Sequence, residues 1–230
     1  MNEDKKTAKI AGIWYLLLAI GAGLSWMLTG NIYVSTDAAL TAENIVQFKS
    51  QYIIAILLSI VGQIAFILLG LTLHQLLKQV HEFISKIMAA LVLVSIPITF
   101  AVIIIQTGAF IVLNRADYLN VFTTAQIGAI AMTLLSLHIT GIHIVTIFWG
   151  LWLFPLACLV YKSNFIPKII AILLTLSGIC YCIGSISPLV SPELYAKIEN
   201  ALSIPETIGE VTLLLWLLIK GVSAKKPQGN

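Results

Sequence analysis

Six long apolar runs, with lysine in every second gap between them, restrict this chain more than any motif does. The runs are 10–29, 52–77, 87–113, 139–161, 166–187 and 204–219. An α-helix rises about 1.5 Å per residue, so about 20 apolar residues cross the roughly 30 Å of hydrocarbon in a bilayer, and most of the runs exceed that. The connections are short, so residues 1–230 read as a single membrane-embedded domain. A membrane barrel would need alternating ten-residue segments, which are absent. The expected fold is all-α and polytopic, six transmembrane helices arranged as three consecutive hairpins, with short outer-face helices. Composition agrees: 59% of residues are hydrophobic, 10% are charged and the mean hydropathy is +1.00, against about 25% charged in a soluble domain.

Charge sets the orientation, because cytoplasmic loops carry the excess of Lys and Arg. Lys5, Lys6, Lys9, Lys78, Lys86, Lys162, Lys168, Lys220, Lys225 and Lys226 fall on one side, and Lys49, Arg115 and Lys197 on the other. Both termini are therefore expected in the cytoplasm, with the chain in the cell membrane. The acidic residues oppose this pattern: Asp37, Glu43, Asp117, Glu193, Glu199, Glu206 and Glu210 lie at or near the outer face. A pI near 8.7 then reflects topology and contact with membrane lipids, and makes no case for nucleic acid. The first run is longer than the 7 to 15 apolar residues usual in a cleavable signal, and reads as a retained anchor.

One stretch fits the scheme poorly. Residues 123–137 are apolar but span only about 21 Å as a helix, and a crossing there would reverse every later charge. It is expected as an outer-face or re-entrant helix, joined to the fourth span through residues 138–141. Short outer helices are also expected at 42–49 and at 192–201, the second with Ser191 as N-cap and Pro192 as first helical residue.

Ionisable side chains within a bilayer are costly and mark the first place to look for chemistry. Glu210 is the sharpest, about 9 Å into a last helix that starts at Ile204. Glu206 has a local explanation, since Ser203 followed three residues later by Glu206 forms a capping box. Gln106, His138, His143 and Ser185 are candidates to share an outer-half pocket with Glu210, and Gln63 lies deeper. The bland alternative is a carboxyl hydrogen-bonded between helices.

His138 and His143 are five apart and point about 140° from one another on a regular helix, so a shared metal would need a break at Gly141; no metal site or cofactor is expected. Cys158, Cys180 and Cys182 lie within spans and read as packing residues. Gly21 and Gly23 suit helix packing, and Pro97 and Pro155 should kink their helices. Trp14, Tyr15, Trp26, Tyr52 and Tyr161 fit interfacial belts. The chain has no P-loop, nucleophile elbow or paired CxxC.

Three segments carry a resemblance: AKIAGIWYLLLAI near the start, FWGLWLFPLACLVYKSNFIPKIIAILLTLSGICY in the fourth and fifth spans, and IGEVTLLLWLLIKGV at the end. The specific positions are Gly150, Leu151, Pro155, Tyr161, Ser163, Pro167 and Tyr181, supported by Gly209, Glu210, Trp216 and Gly221. Together they resemble the bacterial multi-pass membrane family catalogued as domain of unknown function 4386, over most of the chain. The chain departs from the pattern at Trp152 and Ala171, where relatives carry His and Gly. The resemblance implies a fold and a membrane location, and no reaction, cofactor or partner.

Three functional readings stand at this point. The first is an interaction, assembly or sensing protein with unidentified protein partners. The second is a carrier or binding protein for an ion or an unidentified small-molecule ligand, using a pocket around Glu210. The third is an intramembrane enzyme, which would need Glu210 within hydrogen-bond reach of His138 or His143.

Overall fold

The computed structural model describes residues 3–114 and 117–221; Arg115, Lys225 and Lys226 of the charge pattern lie outside them. The described residues are helical with no strand: α1 (Glu3–Thr29), α2 (Ala38–Gln47), α3 (Lys49–Leu77), α4 (Glu82–Leu113), a 3-10 turn (Asp117–Leu119), α5 (Thr124–Leu151), α6 (Leu153–Ser163), α7 (Lys168–Val190) and α8 (Pro192–Ile219). Six segments are long and apolar enough to cross a membrane, with α5 and α6 counted as one 40-residue segment. The fold is that of a helical multi-pass membrane protein.

Two helices begin elsewhere than the sequence suggests. Residues 123–137 form no separate outer-face or re-entrant helix: they are the first half of α5, which runs unbroken through Gly141. No proline interrupts this stretch, and one glycine costs a helix only about 1 kcal/mol. Gly141 also has a packing role, its open side facing Val102 of α4. The last helix likewise starts at Pro192, with the Ser191 side chain accepting from the Leu194 amide. The capping box at Ser203 and Glu206 is therefore not formed. Ser203 lies inside α8, and its hydroxyl donates to the Asn200 carbonyl at 3.0 Å. Pro205 removes one helical bond without ending the helix, as membrane helices allow.

Pro155 has the larger effect. A proline cannot donate to the carbonyl four residues back and its ring crowds that carbonyl; here the carbonyl is that of Leu151, the last residue of α5. The helical run breaks at Trp152 and resumes as α6. Asn164 then reverses the chain in a left-handed conformation, φ 56°. The Ser163 hydroxyl at this turn donates to the Val160 carbonyl at 2.8 Å and receives the Ile166 amide at 3.4 Å.

The contacts gather the chain into two compact units. The first comprises Met1–Leu16, Ala65–Ile96 and His143–Asn230. Lipid tails are as apolar as leucine, so membrane helices associate through close packing and polar bonds, and this unit uses both. A Cβ on Gly150 of α5 would lie 2.9 Å from the Gly178 carbonyl oxygen of α7. A Cβ on Gly209 of α8 would lie 2.7 Å from the Leu173 carbonyl oxygen of α7. At the same crossing the Ser177 hydroxyl sits 2.7 Å from the Pro205 carbonyl.

The second unit comprises Leu17–Ile64 and Pro97–Ile142. Its core joins Ile32, Ile45, Tyr52, Ile56, Ile103, Leu119, Ile127 and Leu135. Tyr52 stacks on Phe110 with ring centroids 6.1 Å apart and donates to the Gln106 carbonyl at 3.0 Å. It is thus a core residue; a phenol this deep needs an acceptor, and the Gln106 carbonyl supplies one. Gly21 of α1 packs on α3, with its missing Cβ 2.8 Å from the Leu58 carbonyl oxygen, while Gly23 faces open space. The α1–α2 connection is pinned to α2 by Thr41, whose hydroxyl bonds both backbone groups of Val34 at 3.0 Å, and by Asn44, which donates to the Ile32 carbonyl.

Candidate functional site

Glu210 lies eighteen residues along α8, about 27 Å from its start, and so well inside the helix. Ordinary helix geometry places it on the same face as Glu206, one turn earlier. At the adjacent Gly209 α8 approaches α7 closely, a Cβ there lying 2.7 Å from the Leu173 carbonyl oxygen. That close approach puts the Glu210 carboxylate within reach of two phenols from other helices. Tyr181 of α7 donates to Oε2 at 2.9 Å, and Tyr15 of α1 donates to Oε1 at 3.1 Å. Each oxygen has its own donor, and three helices of the first unit meet at one side chain.

Behind this contact lies an aromatic wall. Tyr15 is 2% exposed and meets Trp152 edge-on at 6.3 Å; Trp152, 1% exposed, meets Phe66 of α3 at 5.2 Å and 75°. Trp152 stands at the one-residue interruption between α5 and α6, three residues before Pro155. Such edge-on aromatic pairs add roughly 0.5–1.5 kcal/mol beyond the area they bury. Glu206 is half-buried and approaches the open side of Gly184 on α7.

The other candidates go elsewhere. In the first unit, Ser185 of α7 donates to the backbone carbonyl of His143, and the His143 ring packs edge-on against Tyr195 at 5.2 Å. In the second unit, His138 bonds the Val102 carbonyl through Nδ1 at 3.1 Å. Gln106 is buried and accepts the Tyr52 hydroxyl with its backbone. Gln63 is buried, its side-chain oxygen without a hydrogen-bond partner among the described residues. The bonds of Glu210 run to two tyrosines and to neither histidine.

Tyr15 and Tyr181 are the residues that the sequence reading missed. Tyr15 fitted an interfacial belt by its position near the start of a span, whereas its ring is buried and its hydroxyl is committed to Glu210. A usable signal existed. A buried phenol needs a partner just as a buried carboxylate does, and only a few such groups occur in the spans.

A carboxylate closing three helices, inside a set of membrane-length segments with short connections, defines an integral multi-pass helical membrane protein. Residues 10–221 match the family described as Domain of unknown function (DUF4386), and the chain belongs to that family. The positions that carry the likeness now have physical roles. Gly150 and Gly209 are close approaches, Pro155 breaks a helix, Tyr181 and Glu210 bond one another, and Gly221 takes the left-handed φ of 63° that ends α8. Neither a curated protein nor a solved structure matches the chain.

Proposed function

We propose that the protein is an interaction, assembly or sensing component of the cell membrane, with both termini in the cytoplasm. The observation that supports this reading is the engagement of Glu210 within the chain: Tyr15 and Tyr181 supply a donor to each oxygen. A carboxylate engaged in this way ties three helices of the same chain together. The test compares wild type with Glu210→Gln in detergent and in native membranes. Glutamine keeps one acceptor oxygen, and its amide can donate to a phenol, so the tie is expected to persist. Thermal unfolding is expected to be insensitive to Na⁺, K⁺, Mg²⁺ and Ca²⁺ in both proteins, and in-membrane cross-linking is expected to give the same discrete adducts. A cation-dependent rise in the wild-type melting temperature that the variant lacks would overturn the reading.

That opposite outcome would support a second reading, an ion or small-molecule carrier. It is favoured by Glu206, a second and half-buried carboxylate one turn from Glu210 on α8. In a carrier the two would exchange a proton or a cation while the phenols rotate away. The enzyme reading has weaker support, since His138 and His143 are engaged with Val102 and Tyr195.

A further inference from the structure

A wide cleft lies within the second unit. Helix α2, the end of α4 and the start of α5 enclose a cleft of about 850 Å³, within the roughly 300–1,000 Å³ range of small-molecule sites. Its size follows from the residues that wall it. Ala38 and Ala42 on α2 face Ala125 and Gly128 on α5, and the open side of Gly128 lies 3.8 Å from the Ala38 carbonyl and 4.0 Å from the Ala42 Cβ. At these distances the two helices are in ordinary packing contact, and the small side chains leave the adjoining cleft open, with a mostly apolar lining.

The mouth of the slot has a different character. Glu43 is the one charged residue among its described lining residues, and Gln47 lies one turn further along the same helix. Asp37, the nearest other carboxylate in sequence, is already used as the α2 cap, accepting from the Leu40 amide at 2.9 Å. Glu43 is exposed. Val46 of the lining is an exposed apolar residue, and Leu40 on α2 and Phe48 at its end are exposed as well, as suits a helix at the lipid headgroup level.

An apolar slot with a single carboxylate at its entrance fits an amphiphile with a hydrocarbon tail and an ammonium head. We propose that this cleft is a binding site for an ethanolamine-headed phospholipid, one acyl chain lying in the groove beside the α2–α5 contact and the headgroup amine at Glu43. The carboxylate discriminates against phospholipids with an anionic glycerol head, which carry the same tails. The amide of Gln47 can donate to the lipid phosphate. The site is independent of Glu210, so its failure leaves the proposed function standing, and the reverse also holds.

Native mass spectrometry of the full chain, with ethanolamine- and glycerol-headed lipids of identical tails, tests the proposal. Wild type is expected to retain the ethanolamine lipid in preference, and Glu43→Gln to lose about threefold of that preference, as an exposed ion pair implies, while still holding the tail. Ala42→Trp, which fills the slot, is expected to lose both lipids. A lipid carrying a photoreactive group in its tail supplies a measurement that needs no variant, and is expected to label 38–47 and 124–128. Equal retention of both lipids by wild type, or tail labelling outside these segments, would overturn the proposal.

Discussion

At Glu210 each carboxylate oxygen receives one phenol, and this local arithmetic sets clear expectations for substitution. Tyr15→Phe or Tyr181→Phe leaves one oxygen without its donor. Interhelical hydrogen bonds in membranes are individually modest, so each change is expected to lower stability by about 1 kcal/mol. In a Glu210→Leu background the same tyrosine changes should be neutral or favourable, because the phenol has already lost its acceptor. Thermal unfolding of the three single and two double variants checks this cycle; equal effects in both backgrounds would dissociate the phenols from the carboxylate. The sequence drew attention to Glu210 because a charge in an apolar run is visible one residue at a time. Its partners lie 29 and 195 residues away, and no local pattern connects them.

At the level of elements, glycine identity divides close crossings from bare surface. Gly209 faces Ser177 and Leu173 of α7, whereas Gly23 faces open space. Gly209→Leu is therefore expected to push α8 from α7 and to lower stability by about 1–3 kcal/mol. Gly23→Ala should be neutral or stabilise by up to about 1 kcal/mol through helix propensity. Unfolding of the two variants measured side by side would expose an error in either direction. The existence of six spans was legible because hydropathy is a local sum, and so was a helix start at Ser191 and Pro192, a cap and a proline at the first helical position, although it read as the start of a short separate helix. The continuity of α8 past Ser203 and Pro205 was not. A serine, a proline and a glutamate three residues on from the serine make a start signal, yet a helix already under way passes through it. Residues 123–137 misled by the opposite route, since only a length argument separated them from the fourth span and nothing in their sequence ends a helix.

For the whole molecule, the lysine distribution gives a prediction that is independent of side-chain packing. With native cysteines replaced, a single cysteine at Asn120 should react with a membrane-impermeant thiol reagent in intact cells. One at Gln79 should react only after the membrane is opened. The reverse pattern would invert the molecule and place the Ala38–Gly128 cleft on the cytoplasmic side. The division of the contacts into two units was hidden from the sequence, because α1, α3, α4 and α5 each contribute residues to both.

The bond between Tyr15 and Glu210 joins two helices whose synthesis is separated by 195 residues. The Tyr15 phenol is therefore made well before its acceptor, and the tie can form only once α8 has followed. A chain cut before residue 210 leaves the Tyr15 and Tyr181 hydroxyls without this acceptor. The junction of α1, α7 and α8 is thus a late and long-range event in the making of the chain.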